Sequence, residues 1–99
     1  MCGIVGYTGG QPAQEIVLES LKKLEYRGYD SSGIAMHEGK LVICKKEGPI
    51  ENMEAELPKS KSTLAIAHTR WATHGAPSDV NSHPHSDEEV SVAVVHNGT

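Results

Sequence analysis

The chain begins with the stretch Met1-Cys2-Gly3-Ile4-Val5-Gly6. Ile4 and Val5 suit a buried strand, and the glycines on either side allow a neighbouring backbone or a substrate to approach closely. Removal of Met1 would leave Cys2 with a thiol and a free α-amine, which titrates near pH 8 (about 7.7–8.0). That amine can serve as the base for its own thiol, as in N-terminal threonine hydrolases. The alternative is a small buried cysteine at the start of an edge strand, and these residues alone leave both open.

Hydrophobic periodicity predicts the elements that follow this strand. Apolar residues recur every three or four positions after Gln11-Pro12, which predicts an amphipathic helix that Gly28 stops. The predicted order is a strand at 4–7, a helix at 12–25, strands at 32–37 and 41–46 joined at 38–39, a short surface helix at 50–57, a strand at 64–68, a polar loop at 76–89, and a strand at 90–96. Five strands and one well-defined helix indicate an α+β fold whose sheet has one face uncovered. Cys44 lies inside a predicted strand and is expected to be a small core residue.

Size and composition exclude several classes of protein. The chain has 99 residues, which is one domain at most, and its net charge of −4 argues against a nucleic-acid partner. Its apolar runs are far shorter than the ~18 residues of a membrane span, and its start does not show the basic region followed by an apolar stretch that is typical of a signal peptide. We therefore expect no membrane association and a cytoplasmic location, where the two cysteines would stay reduced.

The segment His68-Thr69-Arg70-Trp71-Ala72-Thr73-His74-Gly75 follows a predicted strand, where ligand-binding groups commonly lie. Arg70 can bind a carboxylate with two parallel hydrogen bonds, Thr73 can donate to the same group, and the Trp71 ring can wall the pocket. The alternative is that Arg70 is a surface charge and Trp71 fills the core.

Asn97-Gly98 follows the last predicted strand. The Asn97 side-chain amide and the Gly98 backbone N–H could form an oxyanion hole, in which each donor stabilises an acyl-transfer transition state by roughly 2.7–4 kcal/mol. The alternatives are a tight turn, for which Asn-Gly is a common dipeptide, and an N-glycosylation sequon completed by Thr99.

The histidines raise the alternative of a metal site, built from His83 and His85 with His74 or His96 and the Cys2 thiolate. The His83-Pro84-His85 stretch supplies only two compactly spaced ligands, and no cysteine pair is close in sequence. We expect no metal and no organic cofactor.

The ordered motifs together resemble one family, the class II (N-terminal nucleophile) glutamine amidotransferases. They are Cys2-Gly3-Ile4-Val5-Gly6, Leu24-Glu25-Tyr26-Arg27-Gly28-Tyr29-Asp30-Ser31-Ser32-Gly33, His68 through Gly75, and His96-Asn97-Gly98. Tyr26 and Trp71 resemble the aminosugar-forming branch, because the amidophosphoribosyltransferase branch would have histidine and tyrosine there. The resemblance implies the αββα sandwich of N-terminal nucleophile hydrolases, of which residues 1–99 would be only the N-terminal part of the type 2 amidotransferase domain.

The resemblance also implies an activity. Cys2 would attack the side-chain amide of glutamine, release ammonia and leave a γ-glutamyl thioester that water hydrolyses. The ammonia would reach a separate isomerase half, absent from this chain, where fructose 6-phosphate becomes glucosamine 6-phosphate in a homodimeric enzyme. Roles are implied for eight residues: Cys2, Asn97 and Gly98 in catalysis, Arg70, Trp71, Thr73 and His74 in glutamine binding, and Arg27 in support.

Several other functions remain open from the sequence. The chain stops at Thr99 and retains Met1, so we expect this 99-residue species by itself to be inactive. A different class II amidotransferase, such as an amidophosphoribosyltransferase, would pass the ammonia to another acceptor. A non-catalytic glutamine-binding module and a small metal-binding protein are also compatible with these residues.

Overall fold

A computed structural model of the chain describes residues 3–25, 28–71, 82–90 and 92–96. The predicted α+β class is confirmed for these residues, which form an antiparallel four-stranded sheet, two helices and a two-stranded ribbon. The elements are β1 (Gly3–Thr8), α1 (Ala13–Lys23), β2 (Ser31–His37), β3 (Leu41–Glu47), α2 (Ile50–Glu56), β4 (Leu64–Arg70), β5 (His85–Ser86) and β6 (Ala93–Val94).

The strands of the large sheet do not follow the order of the chain. Their order is β1-β4-β2-β3, so β4 lies between the two strands β1 and β2 that precede it in sequence. Gly3 of β1 is paired with Thr69 of β4, and Ser31 of β2 is paired with Arg70 of β4. The end of β4 is therefore flanked by the start of β1 and the start of β2.

Helix α1 has residues at both of its ends that favour helix formation. Pro12 lies at its N-cap, Glu15 lies in its first turn, and Lys22 and Lys23 lie in its last turn, where their charges complement the helix dipole. The helix ends at Lys23, earlier than the predicted 25, because the Leu24 N–H donates to Leu21 in a tighter turn.

Both helices pack on one face of the sheet. Leu21 of α1 and Met53 of α2 are fully buried there against Ile34 of β2. The other buried members of this core are Ala13, Val17, Leu18, Met36, Ile50, Ala65 and Ala67. Cys44 lies inside β3 as predicted, and its thiol donates to the Met53 carbonyl at 3.5 Å. It is only half-buried, so it packs against the core cluster instead of lying within it.

The opposite face of the sheet is only partly covered. Side chains alternate along a strand, so Ile4 and Leu64 point away from the helices, and they are 46% and 49% exposed. Residues 82–85 pass over this face: the Ser82 carbonyl accepts from Lys45 Nζ at 3.0 Å, and the His83 ring stacks on that of His68. A sheet with one incompletely covered face agrees with the sequence-based expectation.

The residues on this side of the sheet, 82–90 and 92–96, are called the covering segment. Two element boundaries in this region were predicted wrongly. The predicted loop at 76–89 contains the short strand β5. Among the described residues of the predicted strand at 90–96, strand structure is found only at Ala93–Val94. A turn begins at Asp87, whose carbonyl accepts from Val90 and whose carboxylate accepts from the Val92 N–H. Val90 has a φ of 54°, which a β-branched residue adopts only when its surroundings require it.

The remaining sequence-based expectations for the elements hold. The predicted hairpin at 38–39 is confirmed, with Gly39 at a φ of 73° and the Glu38 N–H donating to Lys40. The predicted short helix at 50–57 corresponds to α2. Within the described residues, neither helix has the length and hydrophobicity that crossing a bilayer requires.

Candidate active site

Arg70 is the last residue of β4 and is buried, although its side chain carries a charge. It is 8% exposed, and its carbonyl accepts from the Asp30 N–H at 2.7 Å. Ser31 lies directly opposite on β2, so the two side chains share the face that the helices do not cover. The alternative of Arg70 as a surface charge is therefore wrong. A buried guanidinium at a strand end is suited to bind a carboxylate.

Trp71 follows Arg70 and is half-exposed, with 50% of its surface accessible. The alternative that it fills the core is therefore wrong as well. Its ring lies against the loop before β2. A Cβ added to Gly28 in that loop would be 3.7 Å from Cζ3 of the indole. Gly28 has a φ of 79°, a conformation that glycine adopts without strain. The ring forms a wall beside the end of β4.

Gly3 begins β1 beside the same strand end. It is buried and paired with Thr69, and a Cβ at position 3 would lie 2.7 Å from Cδ1 of Leu24 and 3.0 Å from Oγ1 of Thr69. The sequence predicted that a substrate or neighbouring backbone would approach this glycine, but the atoms found closest to it belong to the side chains of Leu24 and Thr69. This packing holds the start of β1 against the residue that precedes Arg70.

His68 connects this strand end to the covering segment. Its ring has no exposed surface, and Nε2 lies 3.1 Å from the carbonyl oxygen of His96. The His68 and His83 ring centroids are 4.3 Å apart, and those of His83 and His85 are 4.2 Å apart. The His83 ring stacks on His68, whereas the His85 ring is tilted by 52° relative to His83, so the three imidazoles form a contiguous row over the sheet.

The surroundings of this row favour neutral imidazoles at His83 and His85. Burial first, and then the positive charges of His68, His85, Arg70 and Lys45, lower the pKa of His83 from 6.5 to about 4. Burial and the neighbouring Lys45 and Arg70 charges also lower the pKa of His85. Both rings are consequently uncharged near pH 7.

Six of the eight predicted site residues lie outside the described residues: Cys2, Arg27, Thr73, His74, Asn97 and Gly98. Three of them, Cys2, Arg27 and Asn97, directly adjoin a described residue in the sequence. Gly3, which follows Cys2, is paired with Thr69; Gly28, which follows Arg27, lies near Trp71; and His96, which precedes Asn97, accepts from His68. The described sequence neighbours of Cys2, Arg27 and Asn97 therefore lie beside Thr69, Trp71 and His68, which are within two positions of Arg70 in the chain.

The sequence reasoning gave no role to three buried polar residues in this region. His68 is the one polar residue among the first five of β4, a signal that could have singled it out. Ser31 was predicted to lie in the connection before β2 and Ser32 at the start of that strand. Both are fully buried, and their hydroxyls have no hydrogen-bond partner among the described residues.

Metal binding receives no support from the described part of the chain, where no three His, Cys, Asp or Glu side chains are grouped to hold an ion. The rings of His83 and His85 lie against each other, tilted by 52°. Cys2 and His74, the other candidate ligands, lie outside the described residues.

Two of the open cavities that described residues line are beside β3 and beside α1. One of about 610 Å³ is lined by Cys44, Lys45 and Glu56 beside β3. The other, of about 870 Å³, is lined by Leu18 of α1 and Lys59 and Lys61 of the connection before β4. Neither includes Arg70 or Trp71 in its lining.

Comparison with known proteins identifies the class. No protein-family model matches the chain, but curated proteins do: the chain is a homologue of glutamine-dependent aminotransferases over 99% of its length. Its relatives carry the name glutamine–fructose-6-phosphate aminotransferase (isomerizing), which confirms the resemblance found in the sequence. The proteins of Clostridium acetobutylicum, Streptomyces coelicolor and Mycobacterium tuberculosis are 52%, 53% and 51% identical to it over 101, 102 and 104 residues. The chain spans 17% of the length of each of these relatives.

Proposed function

We propose that this chain carries the glutamine-hydrolysing site of a glutamine–fructose-6-phosphate aminotransferase. Residues 1–99 would form the N-terminal portion of an N-terminal nucleophile αββα sandwich, whose first sheet is the one described above. The observation that carries the proposal is the pairing of Gly3 with Thr69. Adjacent strands are about 4.8 Å apart, so the residue bonded to Cys2 lies beside the strand end that presents Arg70.

The proposed reaction begins with the free α-amine of Cys2, which takes the thiol proton. The thiolate attacks the side-chain amide carbon of glutamine, and the negative oxygen that forms is stabilised by Asn97 and Gly98. Collapse of this intermediate breaks the C–N bond, and the nitrogen leaves as ammonia with the proton returned by the amine. Water then attacks the γ-glutamyl thioester, releases glutamate and restores the thiol.

The other residues would bind substrate. Arg70, buried and charged at a strand end, would hold the glutamine α-carboxylate with Thr73 and His74, while the exposed Trp71 ring would close the pocket. Arg27 would support the nucleophile. Ammonia would then pass to fructose 6-phosphate elsewhere in a homodimeric, cytoplasmic enzyme that needs no cofactor. Transfer to the acceptor of an amidophosphoribosyltransferase is the less favoured alternative, because the relatives' name specifies fructose 6-phosphate.

A glutamine analogue with an electrophilic group in place of the amide tests this proposal. The complete polypeptide, as made in its own cells, is incubated with the analogue and the modified peptide is located by mass spectrometry. We expect Met1 to be absent and the adduct to lie on Cys2. Loss of the adduct and of glutamine hydrolysis in Cys2→Ala would support the proposed role of the nucleophile.

Cys44 provides the matched control. Burial first, and then the nearby Glu56 charge, raise the pKa of its thiol, so little reactive thiolate forms there near pH 7. Cys44→Ala should therefore be modified and remain active like the wild type. Glutamine binding without any adduct on a Cys2 that has a free amine would favour the non-catalytic module.

A further inference from the structure

The imidazole of His68 holds a fixed position and a defined proton. The ring is fully buried in the middle of the sheet, paired across to Ile4 on one side and to Gly33 on the other. A buried polar ring needs hydrogen-bond partners, and Nε2 has one in the His96 carbonyl at 3.1 Å. A carbonyl oxygen only accepts, so Nε2 is the nitrogen that carries the hydrogen in this contact.

The packing around His68 leaves the ring little freedom to move. The His83 ring stacks on it with an interplanar angle of 29°. Gly33 faces the His83 carbonyl, and a Cβ at position 33 would overlap that oxygen. The covering segment can therefore approach the sheet closely enough for the two rings to stack.

The hydrogen bond joins two stretches that are remote in sequence. His68 and His96 are separated by 28 residues. Arg70 follows His68 by two positions on the same face of β4, and Asn97-Gly98 follows His96 directly. One contact therefore ties the strand that presents the guanidinium to the residue that precedes the proposed oxyanion donors.

We propose that His68 is a positioning residue, which sets the backbone of His96 and thereby aims the Asn97 amide and the Gly98 N–H at the developing oxyanion. This inference rests on the proposed function. His68 itself contacts no reacting atom in this role. Loss of one oxyanion donor costs about 100- to 1,000-fold in kcat, and a displacement of about 1 Å can cost about 100-fold. We therefore expect loss of the His68 hydrogen bond to lower kcat by about 10- to 100-fold.

Two substitutions distinguish the contribution of the His68 hydrogen bond from that of its aromatic ring. His68→Phe retains an aromatic ring for the stack but removes the donor. His68→Gln removes the ring but can place an amide N–H near the position of Nε2. Both are made in the complete native polypeptide, and kcat and KM for glutamine hydrolysis are measured with the melting temperature.

The positioning role predicts a specific pattern. His68→Phe should lower kcat far more than it raises KM, because glutamine is still bound by Arg70, and His68→Gln should recover much of the lost kcat. A role in stability alone would lower the melting temperature of both variants and leave kcat of the folded protein unchanged. An unchanged kcat in His68→Phe, or a His68→Gln no more active than His68→Phe, overturns the proposal.

A control at a second histidine and an alternative pair of variants complete the test of His68. His37 is exposed at the end of β2, so the same two changes there should leave kcat unaltered. If His68→Phe does not fold, His68→Gln is compared with His68→Asn, whose shorter side chain places its amide near Nδ1 instead; equal kcat values would overturn the proposal. Wild-type protein that neither hydrolyses glutamine nor is modified at Cys2 overturns the proposed function itself, whereas an active wild type with unaffected variants overturns only the role of His68.

Discussion

Gly33 of β2 faces the carbonyl oxygen of His83 so closely that a Cβ at position 33 would overlap that oxygen. The same Cβ would lie 2.7 Å from Cβ of Lys45 and 3.0 Å from Cδ of Pro84. The backbone of the covering segment thus rests directly on the sheet at this point. This contact brings His83 onto His68 and the start of the covering segment onto Lys45.

Gly33→Ala should therefore destabilise the protein. The new methyl group meets backbone and short side-chain atoms that cannot rotate away, and overpacking of this kind costs about 1–3 kcal/mol. Chemical denaturation followed by the emission of Trp71, the only tryptophan among the 99 residues, measures the change. Faster hydrogen exchange at Ala93 and Val94 would show that the covering segment is displaced.

The control for this change is Gly6→Ala. Gly6 also lies inside a strand, but a Cβ there would meet no heavy atom within 4 Å. The free energy of unfolding should stay within about 0.5 kcal/mol of the wild-type value. Equal losses in the two variants would contradict the proposed contact between Gly33 and His83, because they would show a general cost of alanine in these strands.

A second stability prediction concerns the face of the sheet on which the two helices pack. Leu21 is fully buried between α1 and the sheet, so Leu21→Ala should lower the free energy of unfolding by about 2–5 kcal/mol through lost burial and a cavity. Leu64→Ala is the matched change on the other face, where the side chain is 49% exposed. It should cost less than about 1 kcal/mol. A larger loss at Leu64 than at Leu21 in urea unfolding would mean that the helices are not the principal covering layer.

Stability should also depend on pH through His83. Its folded-state pKa is lowered to about 4, first by burial and then by His68, His85, Arg70 and Lys45, whereas the unfolded chain binds the proton near pH 6.5. The unfolded state therefore binds more protons between these values, and stability falls as the pH decreases from about 6.5 to about 4. Above pH 6.5 this contribution is constant.

The variant His83→Gln checks the sign of this effect. The free energy of unfolding is measured between pH 7.5 and pH 4 for both proteins, and their difference removes the contribution of the carboxylates. The variant should lose less stability on acidification than the wild type. Parallel curves would show that His83 is not held neutral by the fold.

Arg70→Lys tests the proposed carboxylate contact. Lysine keeps the charge but cannot form two parallel hydrogen bonds, and loss of a charge-assisted bond costs about 1.5–3 kcal/mol. KM for glutamine should therefore rise by about 10- to 100-fold in the complete polypeptide, with a smaller change in kcat.

A substrate analogue provides the control for Arg70. The α-amide of glutamine lacks the carboxylate, so wild type and Arg70→Lys should process it with similar kcat/KM values. An Arg70→Lys variant that is impaired equally on both substrates would indicate that Arg70 acts on something other than the carboxylate.

Local sequence patterns were sufficient for much of the fold. The three- and four-residue spacing of apolar side chains predicted α1, and alternating or continuous apolar runs predicted β1 to β4. The helix end and the last strand were placed less well, because hydrogen bonds of Leu24 and Asp87 decide them. Such bonds leave no periodic trace in the sequence.

Candidate site residues could be selected from the sequence only where the type of side chain itself indicates a binding or catalytic role. Arg70 and Trp71 were selected because a guanidinium and an indole after a strand suit a ligand pocket, and the structure places both at one strand end. His68 was missed because a histidine in a strand is ambiguous until its partners are known. Its hydrogen bond to His96 depends on a residue 28 positions away.

Sequence patterns were enough to predict the α+β class, a position for Cys44 inside a strand that packs on the core, and the resemblance to glutamine amidotransferases. Each follows from residue type and spacing within a short segment. Tertiary structure decided the order β1-β4-β2-β3, the stacking of His83 on His68, and the burial of Arg70 beside Ser31. These depend on which strands pair and in which register, and that choice is made by the packing of the whole sheet against its helices.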